Sequence, residues 1–163
     1  MLKKILSSVF VLSLLCDNLV ANTSVYFSPD PANETRIVSI INSAKQTIDM
    51  AAFSLTLDSV ADALIKAHQR GVKVRLLLDK QQTSVKKADY KRLESAGIPV
   101  KVDQKSGLMH NKFIIVDSVL VQTGSFNYTD NAVKNNYENL VFIDDGITIE
   151  QFMLEFERMW KDN

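Results

Sequence analysis

The hydrophobic pattern changes period several times along the chain, and the changes outline alternating strands and helices. Ser24–Ser28 alternates as a short strand does. Residues 29–33 read as a turn leading into a helix over residues 34–44, and Thr47–Phe53 reads as a buried strand. Beyond it, Val60, Ala61, Leu64, Ile65 and Ala67 recur at helical spacing. Asp58 is the expected N-cap of that helix, and Gly71 the residue that ends it. Val72–Asp79 is apolar almost throughout, as a central strand covered on both faces is. A polar helix is expected over residues 84–96, closed by Gly97, and a short strand over Pro99–Val102. Lys112–Val116 and Val119–Gln122 form two strands around a tight turn at Asp117-Ser118. Asn139–Asp144 is a further strand, and residues 147–161 a closing helix with Phe152, Phe156, Met159 and Trp160 at core spacing. Early alternation followed by a late hairpin predicts a single α/β domain, with a mixed β-sheet sandwiched between helices.

The first residues follow a different pattern. Lys3 and Lys4 precede an apolar run from Ile5 to Leu15, and Leu19-Val20-Ala21 supplies a small-residue cleavage site. The expectation is a signal peptide over residues 1–21 and a folded domain over 22–163, exported to the periplasm or secreted. An uncleaved N-terminal segment that tethers the domain to a membrane is the alternative, although the run is short for a spanning helix. Cys16 is the only cysteine, so the 22–163 domain can form no disulfide of its own.

The apolar fraction of 46% with 23% charged residues describes a globular protein. Nineteen basic and nineteen acidic residues balance, which argues against a broad nucleic-acid-coating surface and for phosphate binding focused at one site.

The candidate chemistry is concentrated late in the chain. His110 and Lys112, followed by Asp117, read H-x-K-x₄-D, and Gly124-Ser125-Phe126-Asn127 follows. A neutral imidazole can attack phosphorus. Lys112 and Asn127 can donate to the non-bridging oxygens of a phosphodiester, with Ser125 in support. Strand alternation puts His110 and Lys112 on one side if the strand already runs there. Asp117 falls out of that parity and sits at the turn, which suits a carboxylate that holds backbone groups. Glu138 opens the next strand and could accept the second ring N–H of His110, fixing its tautomer. The set lacks a proton donor for the leaving group. His68 reads as an exposed residue in the last turn of its helix, favourable with the helix dipole. A second copy of His110 across a two-fold interface would supply the missing proton. No H-x-x-x-H, cysteine cluster or carboxylate triad accompanies the set, so no metal or other cofactor is expected.

These residues closely resemble the signature of the phospholipase D superfamily, H-x-K-x₄-D followed by G-S-x-N. Ala51-Ala52-Phe53-Ser54 and Asn136-Tyr137-Glu138-Asn139 extend the likeness over essentially the whole of residues 22–163. The single-motif branch fits best: small exported bacterial endonucleases, with mitochondrial relatives described as cardiolipin hydrolases or piRNA-pathway nucleases. The resemblance implies a metal-independent phosphodiesterase working through a covalent phosphohistidine on His110 in a homodimeric active site. His110, Lys112 and Asp117 would be the catalytic signature, and Ser125, Asn127 and Glu138 the phosphate-binding or supporting residues. It implies no obligatory partner of another kind.

Two substrate classes remain open. An endonuclease needs cations tracking a backbone and a stacking aromatic; Lys101, Lys105 and Lys134, with Phe126, Tyr128 and Tyr137, are the candidates. A phospholipase D acting on phospholipid head groups, such as a secreted effector, needs an apolar rim at the mouth of the site. No strong rim is visible in the sequence after the first segment.

Overall fold

A computed structural model describes residues 21–85 and 89–163. The expected export segment, Ala21 apart, lies outside the described residues. Seven strands form one sheet: β1 (Thr23–Ser28), β2 (Thr47–Ala52), β3 (Lys73–Asp79), β4 (Val100–Asp103), β5 (Lys112–Val116), β6 (Leu120–Gly124) and β7 (Glu138–Ile143). Their order is β1-β7-β6-β5-β2-β3-β4. β2, β3 and β4 run parallel, whereas β5, β6, β7 and β1 pair antiparallel. The antiparallel β2–β5 pair joins the two halves.

Helices cover both faces. On one side α1 (Ala32–Ser43), α2 (Asp58–Gln69), α3 (Tyr90–Ser95) and α4 (Asp130–Lys134) enclose the larger core, which includes Ile37, Ile41, Met50, Leu64, Leu76, Ile114, Phe126 and Tyr128. On the other, α5 (Gly146–Asp162) closes a smaller core around Ala51, Leu77, Phe113, Ile115 and Phe156. Period-two alternation sorts β5 between them: Ile114 and Val116 enter the first core, Phe113 and Ile115 the second. Arg75 holds α5 to the sheet. Its guanidinium bonds both oxygens of Asp49, at 2.7 and 2.8 Å, reaches Glu157, and lies against the Phe156 and Trp160 rings. The mixed sheet between helical layers is the architecture that the hydrophobic pattern predicts.

Local details depart from expectation. Asp58 is the first residue of α2 rather than its cap; Leu57 holds the cap position, and no side chain bonds there. Asp58 still places a negative charge in the first turn, where it favours the helix dipole. The expected helix over residues 84–96 is broken. Lys80–Ser84 is a 3-10 turn and only Tyr90–Ser95 is α-helical, with residues 86–88 outside the described residues. Two polar contacts draw this stretch inward. Asp79 accepts from Gln81 N, and buried Gln82 accepts from Leu55 N. His68 is half-buried rather than exposed, and its Nδ1 is buried without a hydrogen-bond partner.

The turn between β5 and β6 needs left-handed backbone at both central residues, Asp117 (φ 51°) and Ser118 (φ 56°). Asp117 turns this into a tertiary contact. Its Oδ1 accepts from Gln46 N at 2.7 Å and Thr47 N at 2.8 Å, and its Oδ2 from Lys45 N at 2.7 Å. The carboxylate thus fastens the α1–β2 connection to the hairpin. Burial pushes its pKa up, but the Thr47, Lys45 and Gln46 N–H groups outweigh that and hold it below the ordinary 3.8. A carboxylate depressed in the fold contributes stability above its unfolded pKa and loses it as pH falls through the folded value. Asp117→Asn, which tolerates the same backbone, is expected to cost about 1–3 kcal/mol at neutral pH. Urea unfolding should show that deficit in full well above 3.8 and shrinking as pH falls through 3.8 toward the lower folded pKa, where the unfolded chain takes up the proton first.

Gly124 ends β6 at φ 137°, and a Cβ there would stand 2.2 Å from Asn139 O. Gly124→Ala must push β6 from β7. A loss of about 2–4 kcal/mol is expected in the same unfolding assay.

Candidate active site

The β2–β5 pairing decides where the chemistry gathers. Ala52 at the end of β2 stands opposite Lys112 at the start of β5. The ends of β3, β4 and β6 and the start of β7 lie at this same edge of the sheet, as the pairing registers require. Ligand sites of α/β sheets form outside the C-terminal ends of their parallel strands.

β5 begins at Lys112, so His110 lies in the preceding loop and strand parity does not place it. The two side chains meet nonetheless. Lys112 Nζ lies 3.2 Å from His110 Nδ1 and 3.4 Å from Nε2. Such similar distances put the ammonium against the ring face rather than on one lone pair. Lys112 Nζ also donates to His110 O at 2.8 Å and lies 5.0 Å from the centre of the Phe53 ring. Phe53 backs the imidazole, with ring centres 4.4 Å apart. Lys112 is 6% exposed and His110 is exposed, so a buried cation stands beside an accessible imidazole. Burial lowers the Lys112 pKa, and the charge of Glu138 partly offsets this. A cation largely stripped of water interacts strongly with an incoming anion.

Ser125 and Glu138 face each other across β6 and β7. Ser125 Oγ donates to Glu138 Oε2 at 2.5 Å and accepts from Asn139 N at 3.1 Å. Glu138 Oε1 accepts from Asn136 Nδ2 at 3.0 Å. Glu138 therefore holds Ser125 and Asn136, and among the described hydrogen bonds none joins it to His110. β6 lies between β5 and β7, which puts Glu138 one strand beyond direct pairing with the histidine segment. Asn127 is half-buried, and its Oδ1 is the atom at this site left buried without a partner. Unpaired buried polar atoms are uncommon, and His68 Nδ1 and Asp89 Oδ2 are the others among the described residues.

Asp117 is the residue that the structure separates from the rest. It lies at the far end of β5, five residues from Lys112 and so roughly 16 Å away. It holds the α1–β2 connection and does not join the catalytic signature, because a five-residue strand carries it to the opposite edge of the sheet. His110, Lys112, Ser125, Asn127 and Glu138 share the other edge.

Sequence reasoning gave no role to Phe53 or Asp79. Asp79 ends β3, is fully buried, and accepts from Met109 N, next to His110, at 2.8 Å. An acidic residue closing an apolar strand was the available signal. The candidate substrate contacts fare unevenly. Phe126 and Tyr128 are fully buried, and the Tyr128 hydroxyl donates to Gln122 Oε1 at 2.9 Å. Tyr137 is 94% exposed. Lys101 donates to Trp160 O, while Lys105 pairs with Asp162 and Lys134 with Asp130. Among the described residues, no three His, Cys, Asp or Glu side chains come together so as to hold a metal ion.

Residues 37–160 match the family model described as cardiolipin synthase, PLD-like domain. The chain is 34% identical over 134 residues to a mitochondrial cardiolipin hydrolase of Chlamydomonas reinhardtii, covering 82% of this chain and 60% of that protein. It is 41% identical over 134 residues to a phospholipase D of Rickettsia prowazekii, covering 82% and 65%. The chain thus spans about three fifths of the length of the curated relatives it matches. Among solved structures, Nuc from Salmonella typhimurium, a phospholipase D family member, superposes with a TM-score of 0.81 at 33% identity, covering 86% of this chain and 95% of Nuc. With one H-x-K-x₄-D segment and this match in both sequence and fold, the chain belongs to the phospholipase D superfamily, in its single-motif branch.

Proposed function

We propose that this phosphodiesterase is a metal-independent endonuclease that cuts DNA or RNA through a phosphohistidine on His110, with two chains completing one active site. The observation that carries the reading is the buried Lys112 ammonium set against the exposed His110 imidazole. That pair offers a nucleophile and a fixed positive charge for one phosphodiester. The motif's resemblance to small bacterial endonucleases supports the nucleic-acid substrate, and the match over nearly all of Nuc, a phospholipase D family member, supports the phosphodiesterase fold.

The steps follow from the chemistry of the set. A ring nitrogen of His110 gives its lone pair to phosphorus, and the bond from phosphorus to the leaving oxygen breaks. Lys112 and the Asn127 amide donate to the non-bridging oxygens as charge builds. The leaving oxygen takes a proton from His110 of the partner subunit. That imidazole, now neutral, removes a proton from water, whose oxygen attacks phosphorus and releases His110. Ser125, held by Glu138, steadies the phosphate side of the site. Residues 1–21 would direct the chain to export, placing the activity in the periplasm or outside the cell, or would tether it to a membrane.

A phospholipase reading is favoured by a different observation. Leu108 is 54% exposed, Phe27 68% and Tyr137 94%, and each adjoins a residue at the site's edge of the sheet. Aromatic and aliphatic groups of this kind can stack on bases or enter a lipid surface. The names of the cardiolipin hydrolase and phospholipase D relatives point to the second use.

Residues 22–163 and a His110→Ala control, incubated in EDTA with single-stranded DNA, plasmid, RNA and cardiolipin or phosphatidylcholine vesicles, separate the readings. Nucleic-acid cleavage is expected, and His110→Ala should lower it by at least about a thousandfold. Cleavage confined to the vesicles would replace the nuclease with the phospholipase. Because each site needs both histidines, randomly reassorted wild-type and His110→Ala chains in equal amounts should keep about a quarter of the activity, against about half for independent sites.

The pH profile supplies a further check. One imidazole must begin neutral and the other protonated, so kcat/KM should be bell-shaped against pH. A flat profile between pH 5 and 8, with chemistry limiting the rate, would remove the two-histidine scheme.

A further inference from the structure

The last residue of β3 and the one after it grip the loop that carries His110. Asp79 is fully buried, and its two oxygens do different jobs. Oδ1 accepts from Gln81 N at 2.8 Å, and Oδ2 accepts from Met109 N at the same distance. Lys80 Nζ donates to Lys105 O at 2.5 Å and reaches Ser106 O at 3.4 Å. Neighbouring residues of opposite charge thus hold one loop by its two kinds of backbone group. The anion takes an N–H, and the cation takes carbonyls. On the other side of His110, Phe53 N donates to Asn111 O at 3.0 Å. Exposed loops ordinarily give their backbone groups to water and remain mobile.

We infer that Asp79 and Lys80 are positioning residues for catalysis: they clamp the loop over residues 105–109 and so hold the His110 imidazole against Lys112. This rests on the reading of His110 as the reacting group. Neither side chain needs to touch substrate. Their effect passes through the backbone at Met109, Lys105 and Ser106. Attack on phosphorus requires alignment of the ring lone pair, and small misplacements of a reacting group are costly in rate. Loosening the clamp should therefore lower kcat and leave substrate binding nearly unchanged.

The chain has two histidines, His68 and His110, so each imidazole gives a separable proton NMR signal, assigned by His110→Ala. Lys80→Met removes the donor and keeps the aliphatic stem at a half-buried position, so folding should be preserved. Lys80→Arg restores a donor, and Asp79→Asn sets an amide N–H against a backbone N–H. The readouts are the His110 and His68 signals, the melting temperature, and kcat and KM for bis(p-nitrophenyl) phosphate. Lys80→Met is expected to shift and broaden the His110 signal, leave His68 unchanged, and lower kcat by about fivefold to tenfold with KM within about twofold. Lys80→Arg should return most of the rate, and Asp79→Asn should lose at least as much as Lys80→Met. A Lys80→Met protein with wild-type kcat and an unmoved His110 signal overturns the clamp, whether or not Asp79→Asn folds. Equal movement of the His68 signal with a fall in melting temperature also overturns it, since the effect would then be general loosening. If His110→Ala matches the wild type on the diester, the proposed function fails, and the His110 signal alone judges the clamp.

Discussion

The antiparallel pairing of β5 with β2 is the contact on which the site depends. It joins a parallel β-α-β half to an antiparallel half and sets Ala52 opposite Lys112. Through that register, the ends of β2 and β3 bring Phe53 and Asp79 to the loop that carries His110. A slip of one residue would exchange the faces of β5, sending Phe113 and Ile115 toward the wrong core and turning Lys112 from Phe53. The two unequal cores guard against that slip, because each accepts only one set of the alternating side chains.

The hairpin turn secures the same strand at its other end. Asp117 carries both the turn and the anchor for the α1–β2 connection. β5 is thus fixed by a carboxylate at one end and by the neighbouring strand ends at the other. Its membership in the family signature is then intelligible without a part in the chemistry. A residue roughly 16 Å from Lys112 can matter by fixing the strand that begins with it.

Electrostatics at the site is sparing. One ammonium is withdrawn from water, one carboxylate is turned onto a hydroxyl and an amide, and one amide oxygen is left unpaired. The lysines proposed from sequence as backbone contacts are engaged with Trp160, Asp162 and Asp130. Of the lysines considered, Lys112 is the one buried at the site's edge of the sheet, in keeping with a chain of balanced charge.

Local pattern revealed much of this architecture. Apolar runs on either side of Asp117-Ser118 marked the hairpin, helical spacing after Asp58 marked α2, and the apolar run ending at Asp79 marked β3, because each reports burial along a continuous segment. The stretch near residue 84 misled, since its helical composition was outweighed by the buried contacts of Asp79 and Gln82 with groups distant in sequence. Phe126 and Tyr128 looked available for stacking because aromatic identity does not reveal which side of a chain faces the core. The sequence by itself determined the fold class, most of the elements and the candidate site residue types, which depend on short-range periodicity and on side-chain chemistry. Only the tertiary structure decided which backbone groups Asp117 holds, that Glu138 bonds Ser125, and that Asp79 and Lys80 bond the histidine loop. Those outcomes depend on strand order and register, which bring together groups that no local spacing relates.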